Sequence, residues 1–438
     1  MGIRKLRNDI GKKLKNLRLE KGLSQEKLAE YSNMSREHIS CIERGKNLPT
    51  VETLYNLAKE ARSLGIDMLV LDDGWFGVRN DDKSGLGDWF VNEKKLCGTL
   101  SELVKEVHDM GLSFGLWFEP EMISEDSDLY RAHPDWALVI PGRQPIRSRS
   151  QLVLDMSRED VTDYLTERIC DIVEKADIQY IKWDMNRSLM AAYSALLPRD
   201  RQGELRHRYV LGLYKVLEAV TQRFPELLLE GCSGGGGRFD AGMLYYCPQI
   251  WCSDNTDAIE RLRIQYGTSF GYPMSSVSAH VSVCPNHQNH RVTPFKTRGI
   301  CAMQGTFGYE LDLSKMTDEE KKMAGEQIAF FKEHGRLFQF GDYYRLTSPF
   351  ENRDYTVWEY AAQDGSEACM SVVYTDMYAN AASEIVKWKG LDPKKVYQMQ
   401  LDGEDAGNFS GAALMHAGIL LPLPEQNYDA FQIYLKAE

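Results

Sequence analysis

A chain of 438 residues, 43% hydrophobic and 26% charged, is long enough for two or three domains with sizeable cores, and 11% aromatic residues with only 15 prolines exclude a disordered polymer. It has no apolar run long enough to span a membrane, and the opening MGIRKLRNDIGKK is too polar for a secretory signal, so the cytoplasm is the expected location. The net charge of −12 divides unevenly: residues 1–60 hold 13 Lys and Arg against 8 Asp and Glu, leaving 39 of the 52 basic and 56 of the 64 acidic residues to the rest, so a phosphate backbone suits the head and is repelled by the body.

The first sixty residues read as four short helices, about Arg4 to Glu20, Ser24 to Tyr31, Ser35 to Glu43 and Thr50 onward. Ser24 and Ser35 are N-caps. Leu23 with Leu28, and Met34 with Ile39, form hydrophobic staples across them. Leu28, Ala29, Ile39 and Ile42 would pack the second and third helices together. That leaves Arg36, Glu37, His38 and Ser40 at the exposed start of the third, which is how a recognition helix presents side chains to DNA. The stretch GLSQEKLAEYSNMSREHISCIERGKNLPTVETLYNLAK resembles the Cro/C1-type helix-turn-helix family. The resemblance implies a DNA-binding domain over 1–58, with double-stranded DNA as a partner. The bland alternative is a vestigial helical cap.

From residue 66 short β-branched or aromatic runs alternate with amphipathic helices, the pattern of a parallel α/β sheet or barrel. The strand candidates are Met68–Asp72, Phe114–Phe118, Leu152–Leu154, Gln179–Trp183, Leu227–Gly231, Gln249–Cys252 and Tyr272–Ser278. Helices fit between them at Thr99–Met110, Arg158–Lys175, Gly203–Phe224 and Asp257–Ser269. Acidic and polar residues gather where strands end, in LDDGW, LWFEPE, VLDMS, IKWDMN, EGCSGGGG and WCSDNTD. Function in (β/α)8 barrels is built on that rim. After a helix at Thr317–His334 the chain from 339 to 438 loses helical periodicity and reads as short antiparallel strands, YTVWEYAA and ACMSVVYT being the clearest, so a small β-sandwich is expected. The reading is three domains: 1–58, a (β/α)8-type TIM barrel over 59–338, and a C-terminal antiparallel β domain over 339–438.

Asp184 in IKWDMNR and Asp254 in WCSDNTD each follow an apolar strand, on elements that only a barrel would bring together. A lone Asp at a strand end more often caps a helix or pairs with Arg. Two of them point to glycoside hydrolysis, in which one carboxylate attacks the anomeric carbon while a second, protonated, assists the leaving oxygen; a separation of about 5 to 5.5 Å gives retention.

The joint pattern of LDDGWFG, LWFEPEM, KWDMNR, CSGGGGRFD and SDNTDAIERL over about 59–438 resembles glycoside hydrolase family 36, the bacterial α-galactosidase group. The resemblance implies a retaining α-galactosidase acting on terminal α-galactosyl groups of melibiose- or raffinose-like oligosaccharides, with no cofactor. Asp184 resembles the nucleophile and Asp254 the general acid and base. Repulsion from Asp184 and partial burial should help Asp254 hold its proton, and glycosylation of Asp184 should release it. Asp72 and Asp73 match the pair that binds the outer hydroxyls of galactose, and Trp117 matches an aromatic wall of the pocket. Lys182, two residues before Asp184 on one strand, points to the same face. Arg149, Cys232 and Gly235 match further subsite positions. The run Gly234–Gly237 lacks the ending of a phosphate loop, and close backbone approach to the sugar is preferred.

His280, His287, His290 and Cys284 cluster in AHVSVCPNHQNH, but HxxH lacks a Glu and the family needs no metal, so they are expected to line the cleft mouth. No CxxC pair or zinc-ligand spacing occurs among the nine cysteines, so neither a metal site nor a disulfide framework is indicated. A closed barrel also needs a strand before Met68, where the sequence reads as helix-turn-helix; the first strand is expected to be absent. The helix from Thr50 to Leu64, apolar at Leu54, Leu57, Ala58, Ala61 and Leu64, can end the DNA-binding unit and stand in for the first barrel helix, with the junction near Ala58 and Lys59. The family's N-terminal β-sandwich is not found either. Strands flanking the gap would have unpaired backbone, inviting solvent entry, aggregation or pairing with another copy in a homo-oligomer. Two rivals follow: a sugar-responsive transcriptional regulator with a degenerate barrel as sensor, and an inactive fusion product.

Overall fold

The computed structural model describes residues 15–16, 18–32, 36, 40 and 49–438, apart from 191, 381 and 383. The chain divides into two compact units, one running to Gly234 and taking in Tyr245–Cys247, the other made of Gly235–Leu244 and Pro248–Glu438.

In the first unit, helix α1 (Gln25–Ser32) starts where expected: Ser24 Oγ accepts from Lys27 N at 3.1 Å, and Arg18 Nη1 donates to Leu23 O. The helix α2 (Pro49–Leu64) buries Ala58 and Ala61 and runs into β1 (Met68–Leu71). It packs on α3 (Leu100–Asp109), as expected of a substitute barrel helix. The helix α3 begins with a capping box in which Thr99 and Glu102 satisfy each other's backbone amides. Its buried Leu100, Leu103, Val104 and Val107 repeat at helical spacing.

The strands β2 (Ser113–Phe118), β3 (Tyr180–Trp183) and β4 (Leu228–Gly231) continue a parallel sheet in the order β1-β2-β3-β4. Crossover helices α4 (Glu159–Ala176) and α5 (Leu205–Arg223) join them. Because both faces are covered, β2 and β3 are buried along nearly their whole length, with Phe114, Leu116, Phe118, Ile181 and Trp183 fully buried. One expectation is corrected. Leu152–Val153 does not join this sheet but pairs antiparallel with Met122–Ile123 in a separate two-stranded ribbon. Two residues were too few for periodicity to tell a ribbon from a barrel strand. Among the described residues β1 pairs with β2 alone, and no strand precedes it.

In the second unit β5 (Gln249–Trp251), β6 (Val277–Ser282) and β7 (Thr306–Glu310) are parallel neighbours, with α6 (Ala258–Thr268) and α7 (Phe295–Ala302) as crossovers. The segment expected as a strand from Tyr272 holds a 3-10 turn at Met274–Ser276 before β6 begins at Val277. The strand β7 carries Gly308, Thr306 and Glu310 among its five residues, and its polarity hid it from a search for apolar runs. The parallel strands of the two units, four and three, are of the TIM-barrel class.

After α8 (Asp318–Glu333), capped by Thr317, come β8 (Asp342–Arg345), β9 (Tyr355–Ala361), β10 (Glu367–Tyr374), β11 (Val396–Leu401), β12 (Glu404–Ser410) and β13 (Ala430–Ala437). They form one antiparallel sheet in the order β8-β9-β10-β13-β11-β12. One face packs Val357, Met370, Val372 and Leu435 on Trp388, Leu414 and Leu421; the other packs Trp358, Tyr360, Cys369 and Val373 on Leu262, Ile300, Leu337 and Phe338. No helix among the described residues is long and apolar enough to cross a membrane.

Candidate active site

In the first unit the residues singled out from sequence converge on the C-terminal ends of β1 to β4. Asp184 follows β3, and its backbone N–H donates to Phe118 O, extending the β2-β3 ladder by one bond and fixing where the side chain emerges. Its carboxylate is 5% exposed and surrounded by donors. Trp117 Nε1 (3.1 Å) and Asn186 Nδ2 (2.8 Å) both reach Oδ2, and Met185 N reaches Oδ1 at 2.8 Å. These three bonds hold the carboxyl group in one orientation.

Trp117 lies in an aromatic cluster with Phe76, Trp89 and, through its own carbonyl, Trp75, whose Nε1 donates to it at 2.9 Å. Only 3% of Trp117 is exposed, so what it turns toward Asp184 is its N–H edge. A ring placed on the strand facing inward packs before it can stack on a ligand.

Lys182 and Asp72 meet with Nζ 3.1 Å from Oδ2, bringing the ends of β3 and β1 to one place. Burial opposes the ammonium charge, but Asp72, helped by Glu230 and Asp184, outweighs it and holds the group above the usual lysine range. Asp73 is gripped by Arg79 in a bidentate fork: Nε lies 2.9 Å from Oδ1 and Nη2 lies 2.7 Å from Oδ2. Arg79 is itself buried and anchored by Nη1 to Ser84 O. Cys232, just after β4, is buried with its N–H on Trp183 O. Arg149 is exposed, and its backbone has φ of 51°, a left-handed conformation that a side-chain-bearing residue adopts at a cost.

Glu119 and Asn186 were not singled out from sequence. Glu119 ends LWFE just past β2, next to Asp184 on the neighbouring strand, and accepts at Oε1 from Asn186 N (2.6 Å) and Gln151 Nε2 (2.8 Å). Burial first, and the charge of Asp184 second, push its carboxyl up to about 7.

In the second unit Asp254 follows β5 and is exposed, its Oδ1 accepting from Trp251 Nε1 at 3.0 Å. Trp251 is sandwiched: the His280 ring stacks on it with centroids 4.5 Å apart, and the Arg261 guanidinium lies 4.6 Å from its centroid. Gly235 supports the same loop. Its φ is 82°, and a Cβ there would sit 2.8 Å from Asp254 N, so a glycine is required for the two backbones to meet. Gln288 Nε2 donates to Asp254 O, and Arg291 pairs with Asp257, the cap of α6, so the loop carrying His287 and His290 braces the Asp254 segment. His280 also faces Glu310 at 3.4 Å. Among the described residues no group of three or more His, Cys, Asp and Glu could hold a metal.

Of the residues expected to face DNA, Arg36 forms an ion pair with Glu26 at 3.2 Å and Ser40 is helical, half-buried and partnered. Glu37 and His38 lie outside the described residues, as do Ile39 and Ile42.

Residues 49–341 match the Melibiase family model, 355–435 match the glycosyl hydrolase family 36 C-terminal domain, and 14–62 match a helix-turn-helix model. The chain is 55% identical over 383 residues to the bifunctional alpha-galactosidase/sucrose kinase AgaSK of Mediterraneibacter gnavus, covering 87% of this chain and 40% of the relative. It is 52% identical to alpha-galactosidase AgaA of Geobacillus stearothermophilus, over 88% of this chain and 52% of that one. Among solved structures, a variant of that enzyme in complex with raffinose superposes with a TM-score of 0.86 at 50% identity, covering 89% of this chain and 54% of its own. The chain thus spans about half the length of the curated relatives it matches.

Proposed function

The chain belongs to the Melibiase family, and on that premise we propose that it is a retaining α-galactosidase, releasing terminal α-galactosyl residues from oligosaccharides such as melibiose or raffinose by double displacement. The observation that carries this is the carboxylate of Asp184, fixed by three donors at the rim of the parallel strands beside a Lys182–Asp72 pair. In the reading, Asp184 attacks the anomeric carbon and its ester is the intermediate. Asp254 protonates the leaving oxygen and then takes the proton of the attacking water. The expectation that partial burial helps Asp254 hold its proton is not met, because Asp254 is exposed while Asp184 is enclosed by donors. Asp72, Asp73, Lys182, Arg149, Cys232 and Gly235 bind the sugar, with Asp72 and Asp73 accepting from its hydroxyls; Trp117 serves as a donor to Asp184 as well as a wall. No cofactor enters any step.

The domain reading is 1–58 for the helix-turn-helix, 59–338 for the barrel and 339–438 for the C-terminal β domain. A head that engages double-stranded DNA through Arg36, Glu37, His38 and Ser40 would place the protein in a compartment that holds DNA, the cytoplasm.

The test is turnover of a chromogenic α-galactoside by the purified full chain, with Asp184→Ala as control. We expect the substitution to lower kcat on the order of a thousandfold or more, since no other group can form the covalent intermediate. Absence of turnover by the folded wild-type chain, or turnover that survives Asp184→Ala, ends the proposal. The match of 14–62 to a helix-turn-helix model favours a second reading, a regulator whose barrel senses sugar. Titrating α-galactoside against duplex DNA separates it, because coupling must change both affinities by the same factor.

A further inference from the structure

Two carboxyl groups stand side by side at the ends of β2 and β3, and the proposed reaction uses one of them. Glu119 is 1% exposed, and its carboxyl accepts from the backbone N–H of Asn186 and from the side-chain amide of Gln151. Asn186 in turn donates from Nδ2 to Asp184 Oδ2. The chain of contacts is therefore Gln151 to Glu119 to the Asn186 backbone to the Asp184 carboxylate. Gln151 is held as well, since its carbonyl accepts from Arg187 Nη1 at 2.6 Å.

We infer that Glu119 is a positioning residue for the nucleophile: by accepting the Asn186 amide it fixes the Asp184–Met185–Asn186 turn so that Asn186 and Trp117 donate to the same oxygen of Asp184. The inference rests on the galactosidase reading for its catalytic consequence and on the hydrogen bonds alone for its geometry. Burial and the Asp184 charge favour its protonated form and push it up to about 7, against the Asn186 and Gln151 donors and the Arg149 charge. A protonated Glu119 still accepts at Oε1, so the turn is held in both states.

The test compares wild type with Glu119→Ala, Glu119→Asp and Glu119→Gln in the full chain, reading kcat and KM on a chromogenic α-galactoside and the backbone amide signal of Asn186 by NMR in asparagine-labelled protein. Misplacing a reacting group by about an ångström costs roughly a hundredfold, so Glu119→Ala should lower kcat by about that factor while KM moves less than about threefold. Glu119→Asp, which draws the acceptor back by one methylene, should lose about tenfold, whereas Glu119→Gln, which keeps an acceptor oxygen in place, should recover most of the loss. The Asn186 amide signal should move on titration in wild type, with a midpoint near 7, and stay still in Glu119→Gln. If wild type turns over and Glu119→Ala and Glu119→Asp keep kcat within about threefold, the positioning role is overturned and the galactosidase reading stands. If wild type does not turn over, the galactosidase reading fails by itself, and the amide still decides the geometry: a signal indifferent to replacement of Glu119 overturns the inference, and one that shifts upholds it.

Discussion

Glu359 offers the sharpest quantitative prediction, and it concerns stability. It sits in the middle of β9, fully buried, in the sheet whose two faces are both covered. Its carboxyl accepts from the Lys389 backbone amide, with Oε2 at 3.0 Å and Oε1 at 3.3 Å, and its only other opposing influence is the Lys389 charge. Burial outweighs both and pushes it up to about 8, from an unfolded value of 4.5. The folded chain therefore holds one more proton than the unfolded chain between those values, and the stability present below pH 4.5 is lost as pH rises through 8. At about 1.4 kcal/mol per unit, the gap gives a ceiling of about 5 kcal/mol. Glu359→Gln removes the titration and adds at most a constant offset. Denaturant unfolding of both proteins at pH 5 and pH 9 isolates the effect, because every other titrating group cancels in the difference. The variant should gain several kcal/mol relative to wild type on going from pH 5 to pH 9. A difference that is the same at both pH values would mean that Glu359 is ionised in the native sheet, and the argument from burial would be wrong.

Trp117→Phe keeps the ring in its aromatic cluster but removes the Nε1 donor 3.1 Å from Asp184 Oδ2; steady-state assays should show kcat reduced roughly tenfold to a hundredfold with native circular dichroism. Gly212→Ala should unfold or severely destabilise the first unit, by more than about 4 kcal/mol, because the added carbon would lie 1.8 Å from Met156 O, while Gly203→Ala, with nothing within 4 Å, should leave the melting temperature within about 2 °C of wild type. Arg79→Met should raise KM about tenfold more than it lowers kcat, since Asp73 loses the fork that aims it while Asp184 keeps all three donors.

How much of this was legible in the sequence depended on whether the signal was local. Helix starts with a side-chain cap were legible because a cap and its amide lie three positions apart: Ser24, Thr99, Asp257 and Thr317 each cap the helix they were expected to begin, whereas the uncapped helix expected from Gly203 starts at Leu205. The ends of β1, β2 and β3 were legible for the same reason, each being an apolar run that stops at an acid, Asp72, Glu119 or Asp184. What failed was what one stretch of chain cannot report. Leu152–Val153 had the composition of a barrel strand, and only its partner at Met122–Ile123 makes it a ribbon. The strand β7 was missed because Thr306, Gly308 and Glu310 break any apolar run and none of its five residues is buried.

The same distinction explains which members of the candidate site were found. Asp184 and Asp254 advertise themselves, being acids at strand ends with a chemistry that needs two. Glu119 has the same advertisement, an acid at the end of β2, yet its use lies in a contact 67 positions away with a backbone amide, which has no residue identity to be read. Trp251 is a further case: its indole bond to Asp254 spans three residues and could have been guessed, but the His280 ring and Arg261 guanidinium that clamp it come from β6 and α6. A residue that touches the Asp184 carboxylate can leave a trace in its type, as the Trp117 indole does, although the Asn186 amide was passed over. A residue that acts by holding the backbone beneath it leaves none. The second kind surfaces only in the hydrogen bonds that run outward from the acid, as they do from Asp184 through Asn186 to Glu119.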